Sequence, residues 1–200
     1  MLVVILQPTK MIHEFLQVEQ IIPLPETKEF MIDAQEKQKE ETQKSKTVDE
    51  SEARLIKFWG VLKTKLNQHR LDYLDRVSPK PHYSLGFWKG HGKFAFCIGR
   101  NSFRVELYFS NDPDKAMIDA MSVYENELNQ KLNGRLVFER LPNKKASRIK
   151  LEMNDEEKAQ LQGRFNDELY WETLTEWYAI QMKNFYMTLN PVWEKVQKQL

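Results

Sequence analysis

The chain reads FRVELYF from Phe103 to Phe109, and this stretch decides the fold. Large apolar side chains occupy every second position, and successive side chains of a β-strand point to opposite faces of the sheet. One face therefore carries Phe103, Val105, Leu107 and Phe109, and the opposite face carries Arg104, Glu106 and Tyr108. The pattern predicts a strand whose sheet is buried on one face and reaches solvent on the other.

Other strands are predicted on both sides of this stretch. Upstream, Tyr83-Ser-Leu-Gly-Phe87 and Phe94-Ala-Phe-Cys-Ile98 alternate in the same way, with turn-forming residues at 90–92 and 99–102. Downstream, residues 136–138 and 148–153 flank a turn at 142–145 and predict a second hairpin. Because connections this short join antiparallel strands, we expect an antiparallel sheet of about five strands.

Apolar residues at helical spacing predict helices before, between and after the strand groups. The first helix begins at the capping box Thr47-Val-Asp-Glu50, and the second is capped by Asp112 and runs to Asn133-Gly134. A long helical tract follows Asn154, and Pro191 is expected to break it before a last short helix. The order is helix, three strands, helix, two strands, helices, which predicts an α+β fold with helices on one face of the sheet.

The chain divides into three parts by composition. Residues 1–32 form a short N-terminal segment that is too small to bury an apolar core of its own. Residues 33–50 are predicted to be a charged linker, since Ala34 is the only apolar residue from Asp33 to Lys46. Residues 51–200 form the predicted α+β domain.

Composition limits the location and the class of protein. The 200 residues include 12% aromatics, carry a formal net charge of +1 and contain a single cysteine, Cys97. An intramolecular disulfide is therefore excluded, which favours a reducing compartment. No run approaches the roughly 18 apolar residues of a membrane span, and the N-terminus lacks the pattern of a signal peptide. We predict a cytoplasmic protein that does not enter a membrane.

No catalytic or metal-binding set is complete. A restriction-type nuclease needs an Asp followed by Glu-x-Lys on a neighbouring strand, but no Asp precedes Glu26-Thr-Lys28. Asp114 with Glu156-Glu-Lys158 imitates the pattern, yet both lie at predicted helix N-termini, where acids are common. The four histidines lack zinc-ligand spacing, and Cys97 is predicted to be a buried structural thiol. We expect no metal and no cofactor, and a non-enzyme is favoured, although a hydrolase with an unidentified site stays open.

Charge placement points to a possible binding surface. Residues 76–110 and 135–150 together hold twelve basic and two acidic residues, whereas residues 152–200 hold nine acids and five bases. A solvated sheet face is the favoured explanation of this basic excess, and a surface that binds anions or nucleic acid is the alternative. The candidate nucleic-acid-binding residues are Arg100, Arg104, Tyr108, Lys144, Lys145, Arg148 and Lys150. The tryptophans of the C-terminal helices, Trp171, Trp177 and Trp193, are predicted to be core, with a ligand pocket as the alternative.

A set of short motifs follows in order along the chain: Arg104-Val-Glu-Leu-Tyr-Phe109, residues 132–141, Lys144-Lys-Ala-Ser-Arg-Ile-Lys150, and the tryptophans Trp171 and Trp177. Through these motifs the chain, from about Leu55 to the C-terminus, resembles a family of bacterial and archaeal proteins known as domain of unknown function DUF4268. In that family the domain commonly follows a restriction-like nuclease domain, so the resemblance implies a nucleic-acid setting and supplies no catalytic residue. Residues 15–23 are then expected to be a remnant of such a preceding domain.

We therefore expect a non-catalytic accessory or recognition domain that binds nucleic acid in a defence or mobile-element setting. The partners implied are nucleic acid and a protein such as a nuclease, and the oligomeric state is left open. The alternative is a protein-interaction domain that uses the aromatic C-terminal helices.

Overall fold

A computed structural model describes residues 48–99, 102–161 and 165–200 of the chain. The predicted N-terminal segment 1–32 and nearly all of the predicted linker lie outside the described residues. Residues 48–50 are helical and continue without interruption into the first helix. The capping box predicted at Thr47-Val-Asp-Glu50 begins outside the described residues, so the start of this helix stays a prediction.

Five strands form one antiparallel sheet, as the alternation patterns predict. The strands are β1 (Ser84–Lys89), β2 (Gly92–Ile98), β3 (Phe103–Phe109), β4 (Leu136–Glu139) and β5 (Ser147–Glu152). Their order across the sheet is β1-β2-β3-β5-β4, so β5 pairs with both β3 and β4. The edges of the sheet are therefore β1 and β4.

The helices cover one face of this sheet, which confirms the predicted α+β arrangement. They are α1 (48–68), α2 (Ala116–Ser122), α3 (Glu125–Lys131), α4 (Asp155–Leu161) and α5 (Trp171–Val196), with a 3₁₀ turn at Glu168–Tyr170. At the start of α4 the side chain of Asn154 accepts from the Glu157 amide while Glu157 accepts from the Asn154 amide, a complete capping box. Within these described ranges, no helix combines the length and apolar character needed to cross a membrane.

Aromatic side chains of α1 and α5 fill the core. Tyr178 of α5 meets the rings of Phe96 and Phe103 edge-on, and its hydroxyl donates to the carbonyl of Cys97 at 2.6 Å. The indole N–H of Trp59 donates to the His82 carbonyl just before β1, and the indole N–H of Trp193 donates to the Lys89 carbonyl at its end. Two buried tryptophans thus hold both ends of the edge strand β1, and the core prediction for Trp193 is confirmed.

The helix predicted after Asp112 is wrong in its start and its continuity. It begins at Ala116, after Lys115 in a left-handed conformation with φ 66°, and it is interrupted at residues 123–124 between α2 and α3. The carboxylate of Asp112 still caps α2, because it accepts from the amides of Met117 and Ile118. The capping residue was correctly placed, but a loop separates it from the first helical turn.

The predicted break at Pro191 is also wrong, since α5 continues through this proline to Val196. Proline removes one backbone donor, whose acceptor would be the carbonyl of Met187. Met187 is exposed, so solvent can satisfy that carbonyl. The burial of Leu189, Trp193 and Val196 on the other side of the helix favours continuation of the helix across the missing hydrogen bond.

Candidate nucleic-acid interface

The face of the sheet opposite the helices is named the open face. The pairing register assigns its side chains: Ser84, Gly86 and Trp88 of β1, Lys93, Ala95 and Cys97 of β2, Arg104, Glu106 and Tyr108 of β3, Arg148, Lys150 and Glu152 of β5, and Val137 and Glu139 of β4. Arg104 shares a face with Tyr108, and Arg148 shares it with Lys150, as the period-two alternation predicts. The structure therefore gathers four of the seven predicted binding residues on one surface.

One row of this face alternates aromatic and cationic side chains across the sheet. The register places Trp88 beside Lys93, Lys93 beside Tyr108, Tyr108 beside Arg148, and Arg148 beside Glu139. This set is named the central row. Adjacent members are separated by one strand spacing, about 4.8 Å. Trp88 is 56% exposed, and Lys93 forms no ion pair with any residue in the described part of the chain.

The sequence prediction missed Trp88 and Lys93. It ended the first strand at Phe87 and began the second at Phe94, whereas β1 runs to Lys89 and β2 begins at Gly92. The sequence did contain a signal for the longer strand. Leu85 and Phe87 face the core, and continuing the same alternation by one residue places Trp88 on the opposite face. Composition alone favoured a turn, since Gly90 and Gly92 follow closely.

Six side chains of the open face, two of which belong to the central row, form an ion-pair network of three cations and three carboxylates. Its members are Arg104, Arg148 and Lys150 with Glu106, Glu139 and Glu152. Arg104 Nε lies 2.9 Å from Glu106, and Lys150 Nζ lies 2.9 Å from Glu139 and 3.0 Å from Glu152. These three predicted binding cations therefore already have carboxylate partners.

The network also holds its carboxylates in the charged state. Burial alone would raise the pKa of Glu139, but hydrogen bonds from Lys150 and Arg148 outweigh burial and place the pKa below its ordinary value. The pKa of Lys150 is raised in turn, since its bonds to Glu139 and Glu152 outweigh the effect of burial. Both partners stay ionised near neutral pH, so any phosphate that approaches Arg148 or Lys150 must compete with a carboxylate.

The β4–β5 turn adds two exposed cations at the end of the central row. It follows Glu139 and precedes Arg148, and the side chains of Lys144 and Lys145 are exposed. The backbone of this turn is bound by the side chain of Lys115, the residue before α2. Lys115 Nζ donates to the carbonyls of Lys144 at 2.6 Å and Ala146 at 2.8 Å. The Asp112 amide donates to the Lys145 carbonyl at 2.7 Å. These bonds hold the turn in place at the end of the sheet where the central row lies.

Arg100 is the one candidate that cannot be assigned to this surface. It lies outside the described residues, between β2 and β3. Those two strands meet at Ile98 and Phe103, the end of the sheet opposite to the β4–β5 turn. With Arg140 set aside because it pairs with Asp119 of α2, six cations of the described open face and its turn (Lys93, Arg104, Lys144, Lys145, Arg148, Lys150) stand against three carboxylates, which leaves a net charge of +3 (6 − 3).

The residues that imitate a nuclease or zinc site are not gathered into one. Asp114 precedes α2 and Glu156 lies in the first turn of α4, the helix starts at which the sequence placed them. His82 and His91 lie at opposite ends of β1, about 20 Å apart along a six-residue strand. Across the described ranges, no group of three or more His, Cys, Asp or Glu side chains could hold a metal ion. Burial raises the pKa of the Cys97 thiol to about 12, which agrees with the predicted structural role.

A shallow cavity of about 360 Å³ lies between α4 and α5, with Trp177 on its wall. Its acidic residues already have partners: Glu157 accepts from Arg135 at 2.6 Å and Glu176 pairs with His69 at 2.9 Å. Trp171 is buried, as predicted, whereas Trp177 is only partly buried. Further along α5, Ile180 and Met187 are exposed. This side of α5 is the surface on which the protein-interaction alternative depends.

The fold and its surfaces define an α+β domain with one helix-covered sheet face and one open, aromatic and charged sheet face. The chain matches the family described as domain of unknown function (DUF4268) over residues 56–193, and it belongs to that family. The matched range includes all five strands and therefore the whole open face. No curated protein and no solved structure matches the chain.

Proposed function

We propose that this chain is a non-catalytic recognition domain that binds nucleic acid through its open face. In this proposal it serves a nuclease or another enzyme whose active site lies elsewhere, in a bacterial or archaeal defence or mobile-element system. The single observation that carries the binding function is the central row, in which Trp88, Lys93, Tyr108 and Arg148 lie side by side. The biological setting rests on the family resemblance, and the cytoplasmic location rests on the single buried cysteine.

Three lysines supply most of the phosphate attraction in this proposal. Lys93, Lys144 and Lys145 form no ion pair within the described part of the chain, so they can approach phosphates without first losing a carboxylate. Arg104, Arg148 and Lys150 must exchange a carboxylate for a phosphate, which offsets most of their gain. Binding should therefore be weak, with a dissociation constant on the order of micromolar or weaker at physiological salt.

The test is a titration of labelled DNA and RNA over a range of salt concentrations. Replacing Lys93, Lys144 and Lys145 together with Ala should lower the salt slope by roughly two units on single strands, because each phosphate contact contributes about 0.7. The matched control replaces Lys131, Lys183 and Lys198, which are exposed lysines of the helical layer, and should leave most of the slope in place. Absence of saturable binding at low salt, or equal slopes for the two triple variants, would overturn the proposal.

The second candidate function is protein interaction through α5. The observation in its favour is that Ile180 and Met187 are 44% and 65% exposed on the side of α5 that carries Trp177. Replacing Ile180 and Met187 with Glu should abolish capture of a protein partner while nucleic-acid binding stays unchanged. If the double variant captures the same partner as the unaltered chain, this surface is not an interaction site.

A further inference from the structure

We infer that the open face selects single-stranded nucleic acid, and that Trp88 and Tyr108 are stacking sites for two unpaired bases. This inference rests on the proposed function and names its ligand class. It starts from the central row, where β2 separates Trp88 on β1 from Tyr108 on β3. Aromatic side chains exposed on a sheet bind nucleic-acid bases by their flat faces, and they do so with little dependence on base identity.

The spacing of the two rings favours splayed bases. Two strand spacings separate the backbones that carry Trp88 and Tyr108, which is about 10 Å. Bases held at both positions are therefore not stacked on each other. Lys93 lies between the two aromatic residues in the register, so the backbone that joins two such bases passes over a cation.

The row of the open face next to the central row carries small residues on β1 and β2. It begins with Gly86 paired to Ala95, and Ala95 is only 1% exposed. A Cβ at Gly86 would lie 2.1 Å from the Phe94 carbonyl oxygen, so this position cannot take a larger side chain without moving the backbone. Gly86 and Ala95 therefore place no bulky side chain of their own next to Trp88 and Lys93, and Ala95 is covered by the side chains around it.

A duplex cannot use these sites except at its ends. Its bases are stacked on one another, so it offers phosphates but no free base faces. Lys93, Lys144 and Lys145 can attract a duplex through phosphates alone. The charged residues therefore contribute to binding of both forms, and the two aromatic residues contribute only to binding of single strands.

The chain carries its own optical probe of this site. Of its five tryptophans, Trp59, Trp171 and Trp193 are buried, Trp177 is partly buried, and Trp88 is the most exposed. Stacking of a base on Trp88 should quench indole fluorescence. Trp177→Phe removes the other partly exposed indole and should leave the quenching signal nearly unchanged.

The experiment compares a short oligothymidylate with a blunt duplex of equal length, using the full chain. Trp88→Ala and Tyr108→Ala should each weaken single-strand binding by roughly 5- to 100-fold and leave duplex binding unchanged. Trp88→Phe, which keeps an aromatic face, should retain most of the affinity. The control is Tyr83→Ala, since Tyr83 is 59% exposed but precedes β1 and falls outside the open face.

The outcomes separate this inference from the proposed function. Equal, salt-dependent binding of both ligands that is unaffected by Trp88→Ala and Tyr108→Ala would overturn the stacking inference and leave the proposed function in place. Binding of neither ligand at low salt would overturn both. Thermal unfolding of each variant shows whether it is folded, and a folded Trp88→Phe variant that loses as much affinity as Trp88→Ala would also contradict the inference.

Discussion

The carboxylate of Glu139 accepts a hydrogen bond from Nε of Arg148 at 2.5 Å, across the pair formed by β4 and β5. The same carboxylate lies 2.9 Å from Nζ of Lys150. One acidic residue on the edge strand β4 therefore forms ion pairs with two of the cations that are predicted to bind nucleic acid. In the proposed function Glu139 limits affinity, because it competes with phosphate for both cations.

Replacing Glu139 with Gln should strengthen nucleic-acid binding. The change frees Arg148 and Lys150 from one carboxylate, so we expect the salt slope to steepen by roughly one unit. The cost in stability should stay near 1 kcal/mol, because the pair is only partly buried. Filter binding over a salt series measures the effect. Glu127→Gln is the control, since Glu127 pairs with Lys131 on α3 and should not alter binding. Unchanged affinity in the Glu139 variant would show that the network does not restrain these cations.

Asp112 should be among the residues whose loss destabilises the domain most. It is 1% exposed and accepts from the Met117 amide at 3.0 Å, the Ile118 amide at 3.2 Å and the hydroxyl of Ser147. Asp112→Ala leaves these donors buried without an acceptor, which should cost about 2–3 kcal/mol. Urea unfolding measures the loss as a lower midpoint at constant slope. Asp114→Ala, which loses one long bond to the Ala116 amide on an exposed site, should cost less than about 1 kcal/mol. Equal losses in the two variants would contradict this role of Asp112.

Stability should fall in acid through Glu157. Burial alone would raise its pKa, but the hydrogen bonds from Arg135 and from the Asn154 amide outweigh burial and hold the pKa below its ordinary value of 4.5. A carboxyl group with a lowered folded-state pKa stabilises the fold above the pKa of the unfolded chain, and this stability is lost as pH falls through the folded-state pKa. The loss should therefore begin below about pH 4.5.

Glu157→Gln should be less stable by about 1–2 kcal/mol at pH 7. It should approach the unaltered chain in the most acidic samples, because Glu157 is then protonated in both states. Urea unfolding at neutral and acidic pH makes the comparison. Glu156→Gln is the control, since Glu156 is an exposed neighbour in the same helical turn. A constant stability difference at every pH would show that Glu157 acts through packing and not through its charge.

The chain should not cleave nucleic acid in the presence of Mg²⁺ or Mn²⁺. Asp114 and Glu156 lie at the starts of two different helices, and they are not adjacent ligands on neighbouring strands of the kind a restriction-type nuclease uses. Incubation with labelled DNA and RNA checks this expectation. Cleavage that is lost in both Asp114→Ala and Glu156→Ala would prove it wrong and would favour the hydrolase alternative.

The strands were predictable because alternation is a local property. Phe103 to Phe109 is a strand from end to end, and its apolar side chains are buried as the pattern requires. Helix boundaries were less predictable, because tertiary contacts decide them. Pro191 stays inside α5 because Leu189 and Trp193 are buried beside it, and no property of the dipeptide Asn190-Pro191 shows that contact.

The candidate site was predicted in part. Arg104, Tyr108, Arg148 and Lys150 share the expected face, but the count of twelve basic residues against two acidic ones ended at residue 150 and so left out Glu152, although the strand predicted at 148–153 includes it. In the structure Glu152 is the last residue of β5 and lies 3.0 Å from Lys150. Trp88 and Lys93 were absent from the prediction because Gly90 and Gly92, which lie between them, favoured a longer turn.

The sequence by itself determined which side chains of each strand face the core, because that choice depends only on neighbours along the chain. Only the tertiary structure decided which strands are adjacent. The insertion of β5 between β3 and β4 places Arg148 beside Tyr108 on one side and Glu139 on the other. Both the aromatic and cationic row and the carboxylates that restrain it follow from this order. Strand order is set by how the two hairpins bury their apolar faces together under α2 and α5, a contact between residues distant in sequence.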